Sequence, residues 1–210
     1  MYVNQQLTHR GNIGALVDSA GELITSEGQK ADMFNVHFGS VCITDNGINP
    51  MCPVSETTSV LETVAFTQQE VLVAIKKLQS NLSSGPDGLP PLLYKRVKDS
   101  LAYPLALMFT QLFSVGIVPY EWKNAIVNPI FKKGLAGNVS NYRPVLLTCV
   151  SSKLMERIIS AAIYRHLLGN VLLSSTQHGF IKGKSTCTNL LEAVNDWTLA
   201  VQNRCGINVA

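Results

Sequence analysis

Charge is scarce in this 210-residue chain: Asp, Glu, Lys and Arg together make up 15% of it, against 46% apolar residues. That balance excludes a self-repelling disordered segment and points to a globular protein with a real core. Carboxylates are scarcest in the second half, where only Glu156, Glu192 and Asp196 follow Glu121. All three fall in segments of helical periodicity, so none is paired to hold two catalytic metal ions ~4 Å apart. Long apolar runs are missing as well. Polar residues interrupt every stretch well before the roughly 20 residues a membrane helix needs, and no charged n-region precedes an apolar run at the start. The expectation is an intracellular protein, cytoplasmic or nuclear, with no membrane partner. The five cysteines, Cys42, Cys52, Cys149, Cys187 and Cys205, form an odd set without a C-x-x-C pair. That excludes a disulfide framework or zinc cluster and leaves reduced, mostly buried thiols.

The charge that is present is unevenly placed. Residues 1–121 carry seven Lys/Arg against eleven Asp/Glu, a net −4, whereas residues 122–210 carry ten against three, a net +7. Clustered positive charge suits a surface that meets phosphates, since each neutralised phosphate releases counterions. It suits a solvated basic face equally well, and charge alone does not separate the two.

Residues 1–60 read as a separate segment, more linker than domain. Ala31 to Val41 can form a short amphipathic helix through Met33, Phe34, Phe38 and Val41, before Asp45-Asn46-Gly47 and Asn49-Pro50 turn the chain into loop. Thr67-Gln68-Gln69-Glu70 is a capping box, and Val71, Ala74, Ile75 and Leu78 then repeat at helical spacing, which predicts a helix over 68–79. Ser83-Ser84-Gly85-Pro86-Asp87-Gly88 is a turn cluster. A helix through Leu92, Leu93, Val97 and Leu101 should follow. Another should start with Pro104 at its first position, run along Leu105, Met108, Phe109, Leu112 and Phe113, and stop at Gly116.

Ala125 to Phe131 is β-branched and apolar, with Pro129 marking an edge or bulged strand. Tyr142-Arg143-Pro144-Val145-Leu146-Leu147 is a second apolar run. If the two pair antiparallel, Lys132 or Lys133 and Arg143 sit near the loop end of a hairpin, where an ammonium and a bidentate guanidinium can together hold a triphosphate. A hairpin with solvated basic ends accounts for the same residues. Ser151 to about Leu168 reads as a helix with Leu154, Met155, Ile158, Ile159 and Ala162 on its core side and Lys153, Arg157 and Arg165 on its polar side. Gln177 to Thr186 packs two glycines, one aromatic ring and two lysines into a turn that opens the next helix, 187–203, expected to be a core helix through Leu190, Val194, Trp197 and Val201. Glycine permits close backbone approach, Phe180 can pack or stack, and helix N-terminal amides favour phosphate. His178 has no carboxylate or nucleophile spaced to partner it. Gly206 to Ala210 reads as the start of a strand.

Four of these pieces, in order, carry a resemblance: Ser84-Gly85-Pro86-Asp87-Gly88, Ile130-Phe131-Lys132-Lys133-Gly134, Asn141-Tyr142-Arg143-Pro144 and Gln177-His178-Gly179-Phe180-Ile181-Lys182-Gly183-Lys184-Ser185-Thr186. Together they closely resemble the fingers region of reverse transcriptases from non-LTR (LINE-type, jockey-like) retrotransposons. The segment Ala31 to Phe38 looks like the helix that often precedes the polymerase in such elements. The resemblance implies an α+β, mostly helical fingers region with a small β-hairpin, palm and thumb missing. It divides the chain into a preceding segment, 1–60, and a partial polymerase domain, 61–210, most family-like over 123–210.

The resemblance also implies roles. Lys132 or Lys133, and Arg143, would contact the phosphates of an incoming deoxynucleoside triphosphate, and Gln177, Gly179, Phe180, Lys182 and Lys184 would meet the template. The complete enzyme would use an RNA or DNA template-primer and Mg2+, with the metal held by a palm this chain lacks. No catalytic or metal-binding residue is expected here, and the chain alone is expected not to catalyse. A domesticated nucleic-acid-binding protein and a translated remnant without function stay open beside this reading.

Overall fold

A computed structural model of the chain describes residues 13–43, 47–48 and 59–206. The described residues fall into two compact units, one drawn from 13–43, 47–48 and 65–158, the other from 59–64 and 159–206. Helices dominate, with two small antiparallel sheets, so the expected α+β, mostly helical class holds.

In the first unit, strands β1 (Leu16–Val17) and β2 (Leu23–Ile24) make a short hairpin, followed by helix α1 (Glu27–Ser40). The helix begins four residues before the expected Ala31. Met33, Phe34 and Phe38 do face a core, but Val41 lies beyond the helix end and is exposed, because the helical repeat no longer carries its side chain back to the packed face. The amine of Lys30, buried on this helix, donates to the Ile13 carbonyl (2.7 Å) and to Glu27 Oε1 (2.9 Å). A buried ammonium is tolerable only with such partners.

Helix α2 (Gln68–Lys76) starts at the expected capping box: the Glu70 N–H donates to Thr67 Oγ1 (3.1 Å) and the Thr67 N–H donates to Glu70 Oε2 (3.1 Å). Val71, Ala74 and Ile75 bury its apolar face against α4. The single helix expected through Leu101 is instead two, α3 (Pro91–Arg96) and α4 (Lys98–Val115), joined at Val97. Pro104 is not at a helix start but inside α4. It is tolerated because it faces outward, where water can reach the carbonyl that loses its N–H donor. Ala102, Leu105, Ala106 and Phe109 form the buried side of α4, while Met108 and Phe113 stay partly exposed. Phe109 packs edge-on against Phe66 and Trp122. The helix stops where expected, at Gly116 in the left-handed region.

The Ser84–Gly88 turn has a specific neighbour. A Cβ on Gly85 would lie 2.5 Å from the carbonyl carbon and oxygen of Thr148 and 2.6 Å from the Cys149 nitrogen, so only glycine lets these two stretches of backbone touch.

Strands β3 (Ile126–Phe131) and β4 (Tyr142–Leu147) pair antiparallel from Ile126↔Leu147 to Phe131↔Tyr142 without a bulge, and the expected hairpin is present. Tyr142 is buried against Leu16 and Phe34, its ring edge-on to Phe34 at 4.9 Å and to Phe131 at 5.4 Å. The Val17 N–H also donates to the Gly137 carbonyl (2.8 Å). Residues from the segment read as preceding the polymerase therefore share a core with the hairpin.

Helix α5 (Val150–Gly169) supplies residues to both units. Leu154 and Ile158 are buried, and Arg157 donates to the Ala74 carbonyl at the end of α2 (3.3 Å). In the second unit, helix α6 (Thr186–Gln202) starts at Ser185, whose hydroxyl accepts from the Thr188 N–H. It is not the core helix its pattern suggested: none of its side chains is buried, and Leu190, Val194, Trp197 and Val201 are all exposed. Helical spacing puts apolar side chains on one face but says nothing about what covers that face.

The thiols also differ from expectation. Of the four described, only Cys149 is buried; Cys42, Cys187 and Cys205 lie at helix ends and are exposed. No helix among the described residues is long and apolar enough to cross a membrane. The strand expected from Gly206 and the loop at Asp45 to Asn46 and Asn49 to Pro50 fall mostly outside the described residues.

Candidate functional site

The hairpin tip follows from its ladder. The Lys132 N–H donates to the Asn141 carbonyl at 2.8 Å, extending the pairing one rung past Phe131↔Tyr142. Residues facing each other across a rung share a side of the sheet, and so do residues two apart on a strand. Ile130, its partner Arg143 and Lys132 therefore occupy one side. Phe131 and Tyr142 occupy the other, and Tyr142 carries that side into the core. Lys133 follows the ladder into the turn at Gly134, where φ is +93° and the Asn141 side chain sits against the glycine. Asn141 Nδ2 donates to the Leu135 carbonyl (2.9 Å) and the Tyr142 hydroxyl to the Ala136 carbonyl (2.7 Å), closing the loop from within.

Lys132, Lys133 and Arg143 are exposed. Among the described residues none of the three has an ion pair or a side-chain hydrogen bond, so their charges are free to meet an anion. A cleft of about 400 Å³ nearby, lined by Ile13, Lys30, Phe34, Phe38, Val127 and Pro129, offers no comparable chemistry, since its one amine is held by Glu27 and Ile13.

The second candidate set belongs to the second unit. Gln177 Nε2 donates to the Gly179 carbonyl (3.0 Å), the Tyr164 hydroxyl accepts from the Lys182 N–H (3.1 Å), and the Lys184 N–H closes a turn onto the Ile181 carbonyl (3.1 Å). The Lys184 ammonium donates to the Ser175 carbonyl. Of the two expected template cations, Lys182 is thus free and exposed, while Lys184 is partly committed to holding the loop. Phe180 is fully exposed and has φ +61°, a conformation that costs an L-residue energy.

His178 requires a correction. It does have a carboxylate partner: its Nε2 bonds Glu192 and its Nδ1 lies 2.8 Å from Thr188 Oγ1. The carboxylate comes from fourteen residues downstream, a separation no local spacing rule would detect. One sign was available, because Thr188 and Glu192 stand four apart on a helix and so share a face. The hydrogen bond from His178 holds the Glu192 carboxyl below its ordinary value, with the charges of His178 and Lys184 adding to the effect. This is not a nucleophile and base. The Thr188 hydroxyl is used by the helix cap, donating to the Ser185 carbonyl and accepting from the Ser185 N–H, both at 2.8 Å, and His178 is buried.

Glu156 accepts from Ser152 Oγ (2.8 Å) and Asp196 is exposed on α6. Among the described residues no three His, Cys, Asp or Glu side chains converge where a metal ion could sit.

No family model matches the chain. Among curated proteins it is 29% identical over 175 residues to a probable RNA-directed DNA polymerase from transposon BS of Drosophila melanogaster, an alignment covering 79% of this chain and 19% of the relative. It is 30% identical over 141 residues to the RNA-directed DNA polymerase from mobile element jockey of the same fly, covering 67% and 15%. This chain is a relative of the jockey-like LINE reverse transcriptases. A probable RNA-directed DNA polymerase from transposon X-element, also from Drosophila melanogaster, is 26% identical over 140 residues, covering 66% of this chain and 15% of the relative. This LINE reverse-transcriptase relative thus spans less than a fifth of the length of the proteins it matches.

Proposed function

We propose that this chain is the fingers part of a LINE-type RNA-directed DNA polymerase, in which Lys132 and Arg143 hold the triphosphate of the incoming deoxynucleotide and the Gln177–Lys184 turn meets the template strand. The observation that supports this most is the rung order of the β3–β4 hairpin, with Lys132 and Arg143 on one exposed side and neither charge neutralised by a neighbour. A compact ammonium beside a planar guanidinium suits a triphosphate, which offers both a dense charge and oxygens for a bidentate fork. Lys133 has no such alignment, so Lys132 is assigned the phosphate role. Catalytic carboxylates and Mg2+ belong, on this reading, to other parts of the complete enzyme, and the chain alone extends no primer.

The test joins this chain to the palm of a close relative and measures primer extension against deoxynucleotide concentration. Arg143→Ala should raise the concentration needed for half-maximal extension while leaving template binding nearly unchanged. An Arg143→Ala fusion with unaltered nucleotide dependence would overturn the assignment. Template-dependent extension by the purified chain itself, surviving repurification, would overturn the proposed division of labour.

A further inference from the structure

The template role proposed for the Gln177–Lys184 turn raises the question of what holds that turn in shape, since a loop that must be ordered on binding loses affinity to the ordering. Gly179, Phe180 and Lys182 in it are exposed. His178, immediately before them, is the one buried residue of the segment. Both nitrogens of its ring are engaged, Nδ1 with Thr188 Oγ1 and Nε2 with Glu192. An ionised carboxylate only accepts, so Nε2 carries the proton and points the ring at α6. Thr188 and Glu192 lie one turn apart on that helix, so the imidazole clamps the loop to two successive points of a rigid element. At the far end of the turn, Tyr164 of α5 takes the Lys182 N–H and Lys184 ties back to Ser175.

We infer that His178 and Glu192 are positioning residues that pre-shape the Phe180–Lys182 turn for a single-stranded template, an inference that rests on the template role proposed above. Neither touches the strand. Their effect passes through the backbone of Gly179 and Phe180, where φ is +61° at a residue with no packing to reward that conformation. The positive charge of Lys184 also favours the ionised Glu192 carboxyl.

The experiment uses the full chain, a fluorescently labelled single-stranded oligouridylate at low salt, and hydrogen exchange of the amides of residues 179–184. His178→Phe and Glu192→Ala should each weaken binding by about three- to ten-fold, the range expected when one or two ordering contacts are lost before binding. The double variant should be no weaker than either single, because the two act as one unit. His178→Gln keeps an N–H donor near the Nε2 position and should recover most of the affinity and the slow exchange. Lys182→Ala tests the underlying reading separately. If Lys182→Ala weakens binding while the His178 and Glu192 variants bind as the parent does, the positioning inference is wrong and the template reading stands. If none of them changes binding, the template reading fails and the inference falls with it. Should His178→Phe not fold, Glu192→Ala decides the matter, since that carboxylate is exposed and its removal leaves no cavity.

Discussion

Pro129 of β3 stands directly opposite Pro144 of β4. The hydrogen bond from Lys132 to Asn141 makes that rung a bonded one, and bonded rungs alternate with unbonded ones in an antiparallel ladder. The proline pair therefore falls on an unbonded rung, where both nitrogens point away from the partner strand. No ladder bond is lost, and each outer edge of the hairpin lacks one donor. Edge strands are protected from pairing with other chains by such prolines. Pro144→Val should change stability by no more than about 1 kcal/mol, the span of strand preferences, yet increase self-association with concentration in light scattering. Unchanged association would mean that the prolines do not guard the edge.

Gly85→Ala should destabilise the first unit by about 1–3 kcal/mol, because the added methyl overlaps backbone atoms of Thr148 and Cys149 that have no rotamer to yield. Urea unfolding of the two proteins reads the difference. An equal midpoint would show that the turn and the start of α5 separate easily.

The hairpin distinguishes its two lysines. In the palm fusion, Lys132→Ala should reduce nucleotide use well beyond Lys133→Ala, and Arg143→Lys should cost about 1–3 kcal/mol through loss of the bidentate fork. Steady-state extension over a range of deoxynucleotide concentrations gives the comparison. A larger effect from Lys133 would reverse the assignment.

Phe180 combines full exposure with a left-handed backbone. Phe180→Gly should leave stability unchanged or raise it by up to about 1 kcal/mol as the strain is relieved. If the ring stacks on a template base, the same change should weaken single-strand binding by about 1–3 kcal/mol. Thermal melting and anisotropy titration of one preparation separate the two effects, and unaltered binding would remove Phe180 from the interface.

The Glu192 carboxyl is held below its ordinary value of 4.5, first by the hydrogen bond from His178. The stabilisation from this group is therefore fully present above the ordinary carboxylate value and is lost as pH falls through the depressed one. Glu192→Gln should lower the melting temperature in the neutral region and flatten the acid limb, with variant and parent converging at low pH where the parent carboxyl is protonated. An acid limb identical to the parent's would show that the pair does not form in solution.

Much of this protein was legible in the chain because the signals concerned were local. The Thr67–Glu70 capping box and the Gly116 stop depend on residues a few positions apart, and the two apolar runs that became β3 and β4 are each legible within their own stretch of chain. Order and spacing of four short motifs were enough to point to the jockey-like reverse transcriptases. Pro104 misled because a proline tolerated on an exposed helix face looks, in sequence, like one that starts a helix.

What the sequence determined by itself was the identity of the helices, the hairpin and the cation-bearing turns, since periodicity and turn chemistry act over one or two turns of chain. Only the tertiary structure decided which charges are free. Lys132 shares a side with Arg143 because of a register set between strands, Lys184 is drawn to Ser175, and His178 meets Glu192 across fourteen residues. It also decided that Leu16 and Phe34 bury Tyr142 and that the apolar face of α6 stays exposed. These are contacts between segments distant in the chain, and burial depends on what the folded chain brings alongside a side chain rather than on its neighbours in sequence.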